Sequence, residues 1–212
     1  VGPLGPISAN IIAGSMSEVD KKESLIIGLT LCTDEFDNYV NIFCTYPSLK
    51  FQVEEAAKTI KKYGKTSYIL TENSETGNLL LSYAENYFDQ YEIEIAGSDK
   101  FLAEESSFST IVTKAISKNP DAIYMVSATP FSNLEIASSL REQGYEGKIV
   151  IGSDITEKYL AEFGDVLNGV LFVGLIDDNY LPKFTESFRK KYGRDPNMYN
   201  ALGYELVAAA FK

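Results

Sequence analysis

Apolar residues along this chain switch repeatedly between two periods. Short runs rich in β-branched residues alternate with longer stretches in which apolar positions recur every three or four residues. The runs predict strands over Leu25 to Thr30, Val40 to Thr45, Ser67 to Leu70, Glu92 to Ala96, Ala122 to Ser127, Lys148 to Ile151 and Val170 to Leu175. Several are apolar throughout, as strands become when helices cover both faces of a sheet. The alternation predicts βα units and a parallel sheet, an α/β fold.

The helices between them are marked by stripes and by stop signals. Val53, Ala56, Ala57 and Ile60 form one stripe, with Gly64 placed to end it as a C′ glycine. Leu80, Tyr83, Ala84, Tyr87 and Phe88 form a second. A third, Phe108, Ile111, Val112, Ala115 and Ile116, follows Ser106 and Ser107 as capping residues. The fourth is expected to open with Ser132 and Glu135 at capping-box spacing and to close at Gly144. Asn119-Pro120-Asp121 reads as a helix stop, since proline cannot continue a helix. A last apolar helix runs through Tyr199, Ala201, Leu202, Tyr204 and Val207, after Tyr192-Gly193-Arg194-Asp195-Pro196. No low-complexity linker divides the chain, so a second lobe would be joined by crossing strands.

Composition narrows the function. The 212 residues, 45% hydrophobic and 23% charged, are enough to bury a sizeable core. A formal net charge of -11 argues against a nucleic-acid partner, because phosphates attract clustered Lys and Arg. Lys58, Lys61, Lys62 and Lys65 do cluster, on the polar side of an amphipathic helix where a solvated face is expected. No apolar run approaches the roughly 20 residues that cross a bilayer. The segment from Val1 carries no basic and apolar leader pattern. Cys32 and Cys44 read as two small apolar residues on or beside strands, with a single bridge as the alternative. Histidine is absent, which removes the usual general base and the commonest metal ligand.

In open parallel sheets ligands lie beyond the carboxyl ends of the strands, where the next helices begin. Five turns qualify. Gly2-Pro3-Leu4-Gly5-Pro6-Ile7-Ser8 is glycine-rich and precedes a helix, without the Lys or spacing of a nucleotide loop. Thr30, Leu31, Cys32 and Thr33 offer hydroxyls and amides to a carboxylate. The others are Thr71 to Gly77, Ser127-Ala128-Thr129-Pro130 and Gly152-Ser153-Asp154. Asp154 suits an ammonium group, with helix N-capping the competing role. Asp34, Glu35 and Asp37 lack the glycine and spacing of a calcium loop and read as a solvated acidic turn. No metal and no cofactor is expected. Without a nucleophile–base pair, catalysis is not expected either.

Taken in order, several short matches resemble the type 1 periplasmic binding proteins, specifically the leucine/isoleucine/valine-binding family of ABC-transporter receptors. They are Gly2-Pro3-Leu4, the strand Leu25 to Gly28 followed by Thr30, and Tyr46-Pro47-Ser48 before the Val53 helix. Asn119-Pro120-Asp121-Ala122, Leu140-Arg141-Glu142-Gln143-Gly144, Gly152-Ser153-Asp154 and Gly169-Val170 continue the pattern. Phe188, Tyr192-Gly193, Pro196 and Tyr204-Glu205 end it.

The resemblance implies doubly wound, flavodoxin-like parallel sheets in two hinged lobes, with a small ligand held in the cleft. Residues 47–172 would form one nearly complete, ligand-binding lobe. Residues 1–46 and 173–212 would be part of the N-terminal lobe, whose first βα units lie upstream, as would an export signal, a lipoprotein signal being one form of it. Family members that bind amino acids imply Gly5, Pro6, Thr30 and Cys32 on the carboxylate side, with Thr33 an alternative. Asp154 falls on the ammonium side. Thr76, and Ala128 or Thr129, fall where branched-chain binders place tyrosines. Pro6 stands where serine is usual. The implied function is an extracytoplasmic solute receptor that closes on an amino acid or related small acid and delivers it to a membrane permease. A sensor domain of the same fold is the alternative. Uncovered apolar positions at Ile11, Ile12, Leu25 and Val207 further imply weak binding and self-association of this stretch alone.

Overall fold

The computed structural model describes residues 26–28, 42–44, 46–103, 105, 107–127, 130–153, 155, 157–174 and 181–210. The chain divides into two compact units, Val1–Leu49 with Ile176–Lys212, and Lys50–Leu175.

The second unit is built on five strands. In chain order its elements are α1 (Leu49–Lys61), β3 (Thr66–Glu72), α2 (Glu75–Gln90), β4 (Glu94–Phe101), α3 (Ser109–Ser117) and β5 (Ala122–Val126). Then come α4 (Pro130–Glu142), β6 (Lys148–Ile151), α5 (Glu157–Phe163), a 3₁₀ turn (Gly164–Leu167) and β7 (Val170–Phe172). The strands are all parallel, in the order β4-β3-β5-β6-β7. Alternate residues face alternate sides. Tyr68, Leu70, Ile123, Met125, Ile149 and Ile151 pack with Val112 and Ala115 of α3 and with Leu134, Ala137 and Leu140 of α4. The opposite-facing residues Ile69, Tyr124 and Val150 are equally inaccessible, and the Phe88 ring of α2 lies 5.8 Å from that of Tyr124. β5 is buried at all five positions. That is why its sequence shows no alternation.

The α1 stripe is as expected: Val53, Ala56, Ala57 and Ile60 are all fully buried. Lys58 pairs with Glu54 and Glu55, and Lys61 reaches Glu92, so these two of the four lysines are ion-paired at the surface.

Three expected helix signals turn out differently. Gly64 does not take a left-handed conformation. The helix has ended three residues earlier, and glycine is needed because a Cβ there would lie 2.2 Å from Asp121 Cβ. The third helix is capped by the Phe108 backbone without a side-chain bond. Ser107 makes a long contact with the Ser109 amide, and Ser106 lies outside the described residues. Ser132 sits inside α4 rather than before it, and its hydroxyl donates to the Ala103 carbonyl. The end of α4 is as read. Gly144 has φ +82°, its N–H donates to Arg141, and the Tyr145 N–H donates to Leu140. This is the paired bonding of a Schellman motif.

The Asn-Pro-Asp segment does more than stop a helix. Asp121 Oδ2 accepts from the N–H groups of Lys65 and Thr66 and from the Thr66 hydroxyl, while the Asp121 N–H donates to Thr66 Oγ1. The starts of β3 and β5 are thereby tied together. The Lys65 amide first, and then Thr66, hold the Asp121 carboxyl below the usual carboxylate range.

β4 is longer than the sequence pattern predicts. The expected strand ends at Ala96, yet residues 97–101 also pair with β3. Beside them the buried Tyr68 hydroxyl donates to Asp99, whose other oxygen accepts from Lys114 Nζ at 2.6 Å. Burial first, and then the Asp99 carboxylate, push the Tyr68 phenol up, so it stays neutral.

In the first unit, β1 (Ile26–Gly28) pairs in parallel with β2 (Ile42–Cys44), and α6 (Pro182–Tyr192) and α7 (Met198–Ala210) follow. Pro182 starts α6, where a missing N–H costs nothing, and Gly193 ends it at φ +68°. Phe184 stacks on Tyr204 at 4.6 Å. Of the α7 stripe, Ala201 and Leu202 are buried, whereas Tyr199, Tyr204 and Val207 are half-exposed.

Two measurements check this reading. Asp121→Ala is expected to cost about 1–2 kcal/mol in urea unfolding at pH 7, as loss of a capping carboxylate does. Because the folded-state pKa is depressed, the stabilisation is complete above the ordinary Asp value of about 3.9 and is lost as pH falls through the folded value. The gap between wild type and variant should therefore close on acidification, and parallel pH profiles would exclude the tie. Tyr68→Phe, which keeps the ring, is expected to lower stability by about 1–2 kcal/mol. It should also speed amide exchange in residues 97–101 ahead of β5, and unchanged exchange there would remove the anchoring role.

Candidate ligand-binding site

Numbered within their own unit, the five strands run 2-1-3-4-5. From β3 the chain passes to β4 on one side and then returns to β5 on the other. The two connections diverge there, and such a divergence is where open parallel sheets form a ligand crevice, beyond the carboxyl ends of the strands, here β3 and β5. Two of the turns singled out in the sequence flank that point.

The first is the β3–α2 turn. Ser74 is the α2 N-cap: its backbone is extended and its Oγ accepts from the Gly77 N–H at 3.1 Å. Its own N–H donates to Glu72 O, and Asn73 N–H donates to Phe101 O at the end of β4. Glu75 places negative charge in the first turn of α2, where the helix dipole favours it. Thr76 lies in that same turn, half-buried, so it is carried by a rigid element.

The second turn leaves β5. Ser127 is buried. Four residues into α4, Asn133 is fully buried, its Nδ2 3.5 Å from Ser153 Oγ at the end of β6 and its Oδ1 without a partner.

A polar layer lies just beneath this rim. The register pairs Thr71 with Val126, Met125 with Ile151 and Ile151 with Phe172. Val126, Gly152 and Val173 therefore share one row with Thr71. The Gly152 and Val173 amides continue the ladder, donating to Met125 O and Ile151 O. In that layer Thr71 Oγ1 and the Tyr124 hydroxyl are buried without hydrogen-bond partners, and Gln52 Nε2 donates to Val173 O at 3.3 Å. Burial pushes the Tyr124 phenol up, so it is neutral.

Of the residues proposed from sequence, Thr76 lies in the first turn of α2, just after the carboxyl end of β3. Gly5, Pro6, Thr30, Cys32, Thr33, Ala128, Thr129 and Asp154 lie outside the described residues, as do the Cys32 half of the alternative bridge and the acidic turn at Asp34, Glu35 and Asp37. Among the described residues no cluster of His, Cys, Asp or Glu is arranged to hold a metal ion. No helix among them is long and apolar enough to cross a membrane. Gln52, Tyr124 and Asn133 were not foreseen, and Thr71 was named only as the start of a candidate turn. Thr71 closes an apolar strand and Asn133 interrupts a helical stripe, and such misplaced polar residues were the available signal. Tyr124 gave none.

Among curated proteins none matches the sequence. Solved structures do match in fold. The leucine binding protein LivK of Thermotoga maritima superimposes with a TM-score of 0.80 at 22% identity, over 96% of this chain and 61% of its own. An ABC transporter substrate-binding protein of Desulfitobacterium hafniense, in complex with Leu, gives 0.72 at 20% identity, over 96% and 61%. A solute binding protein of an ABC transporter from R. palustris, in complex with 4-hydroxybenzoate, gives 0.77 at 18%, over 95% and 57%. The chain thus spans about 61% of the length of the first of these. The sequence itself matches the family described as periplasmic binding protein over residues 2–212. With a family match over nearly its whole length and a parallel α/β fold to go with it, the chain belongs to the periplasmic binding protein family.

Proposed function

We propose that this chain is the ligand-holding part of an extracytoplasmic receptor of an ABC transporter, periplasmic or extracellular, that binds a small polar solute and hands it to a membrane permease. The observation that carries this reading is the switch point at β3 and β5, rimmed by hydroxyl and amide groups, in a chain that matches the family over residues 2–212. The rim suits binding rather than conversion. Ser74, Thr76, Ser127, Asn133 and Ser153 supply donors and acceptors. Related folds hold leucine and 4-hydroxybenzoate, both small carboxylates with an apolar body. An amino acid or related small acid is therefore the proposed ligand class. Thr76 and Ala128 or Thr129 would line its apolar part, and Asp154 would take an ammonium group. Gly5, Pro6, Thr30, Cys32 and Thr33 would take the carboxylate. Residues 47–172 would form the lobe carrying the first set, residues 1–46 and 173–212 the other, and binding would proceed by hinge closure. A lipid anchor is a further part of the proposal.

The test is a thermal-shift and calorimetric screen of the protein against amino acids and small aromatic acids. A ligand at 100 times its Kd is expected to stabilise by about 2.7 kcal/mol. Thr76→Ala should weaken the best ligand by about 1 kcal/mol, or roughly five-fold, without lowering the melting temperature. A folded protein that responds to no small acid would overturn the receptor reading, and unchanged affinity in Thr76→Ala would take Thr76 out of the site.

A further inference from the structure

Gly152 begins the turn that leaves β6 for Ser153. Its backbone lies outside the left-handed region, so main-chain geometry does not call for glycine there. The requirement comes from below. A Cβ at position 152 would sit 2.6 Å from the Tyr124 hydroxyl and 3.1 Å from its Cε2. Tyr124 cannot yield easily. It is fully buried in the central strand, and the Phe88 ring lies 5.8 Å away. Its hydroxyl makes no hydrogen bond, although an unpaired buried hydroxyl is destabilising. A phenylalanine would fill the same space without that cost. The oxygen is thus out of place as a stabilising group, but it is well placed as a spacer under the Gly152 backbone.

We propose that Tyr124 is a positioning residue whose hydroxyl, lodged beneath Gly152, sets the height of the β6–α5 turn and so the placement of Ser153 at the ligand rim. Ser153 is also approached from α4 by Asn133, so the turn is held from two sides. The inference rests on the receptor reading for its link to ligand, whereas the placement of the turn is decided in the free protein.

The experiment compares wild type, Tyr124→Phe, Gly152→Ala and the double variant. In hydrogen–deuterium exchange without added ligand, Gly152→Ala should speed exchange of the Gly152 and Ser153 amides by about ten-fold. The double variant should recover part of that change, because the nearest atom is gone. With L-leucine as the calorimetric probe, Tyr124→Phe should weaken binding by about three-fold or more while the melting temperature stays equal or rises. A purely structural role predicts the reverse pairing, with binding untouched. The proposal is overturned if Gly152→Ala exchanges like wild type, if the double variant exchanges no more slowly than Gly152→Ala, or if Tyr124→Phe leaves an L-leucine affinity unchanged. Should Gly152→Ala fail to fold, the Tyr124→Phe comparison decides. Should wild type give no heat with L-leucine, that counts against the amino-acid reading of the receptor, and the exchange comparison still decides the positioning role.

Discussion

The whole of the larger unit depends on burying a parallel sheet on both faces. A parallel strand cannot be followed by its neighbour through a tight turn, so each must be left by a crossover that carries a helix back along the sheet. With helices on both sides, β5 is buried at every position, and the carboxyl ends of all five strands emerge along one rim. The location of the turns that can meet a ligand therefore follows from packing before any residue there is chosen for chemistry. Which point along the rim forms a crevice is settled by connectivity alone, where the path from β3 diverges toward β4 and β5.

What the rim carries is polar and mostly uncharged, and what lies directly under it is polar too. Thr71, Tyr124 and Gln52 occupy a layer that an aliphatic core could have filled at less cost. Such a layer trades stability for definite placement of the turns above it. The same preference shows at Ser74, which fixes the start of α2 through one bond to Gly77 and so steadies Thr76.

The fold was largely legible because periodicity reports burial. Runs such as Ala122 to Val126 and Lys148 to Ile151 are strands where the pattern put them, and the α1 stripe is buried residue for residue. The misreadings have local causes. Gly-Ser-Asp-Lys at 97–100 has turn composition, but pairing with β3 and the Tyr68–Asp99–Lys114 contacts override it. Gly64 and Ser132 were read as helix punctuation, whereas each answers to a distant partner, Asp121 and Ala103. Helix punctuation is a local code, and a neighbour far along the chain cannot be seen in it. Of the proposed site the turns were legible as strand ends, and Thr76 stands in the first turn of the helix after one of them. Individual side chains beneath the rim were not, since Tyr124 in an apolar strand looks like any core aromatic.

β4 is one of the two border strands of the sheet, and an uncovered border invites another chain to add a strand of its own. Glu94 and Lys100 project exposed charge along it, and Asp99 is held in place by Lys114. A foreign strand laid against this border would have to strip water from those groups. Growth by sheet extension is thereby disfavoured, and residues 97–101, which the sequence pattern left out of β4, help to provide the protection.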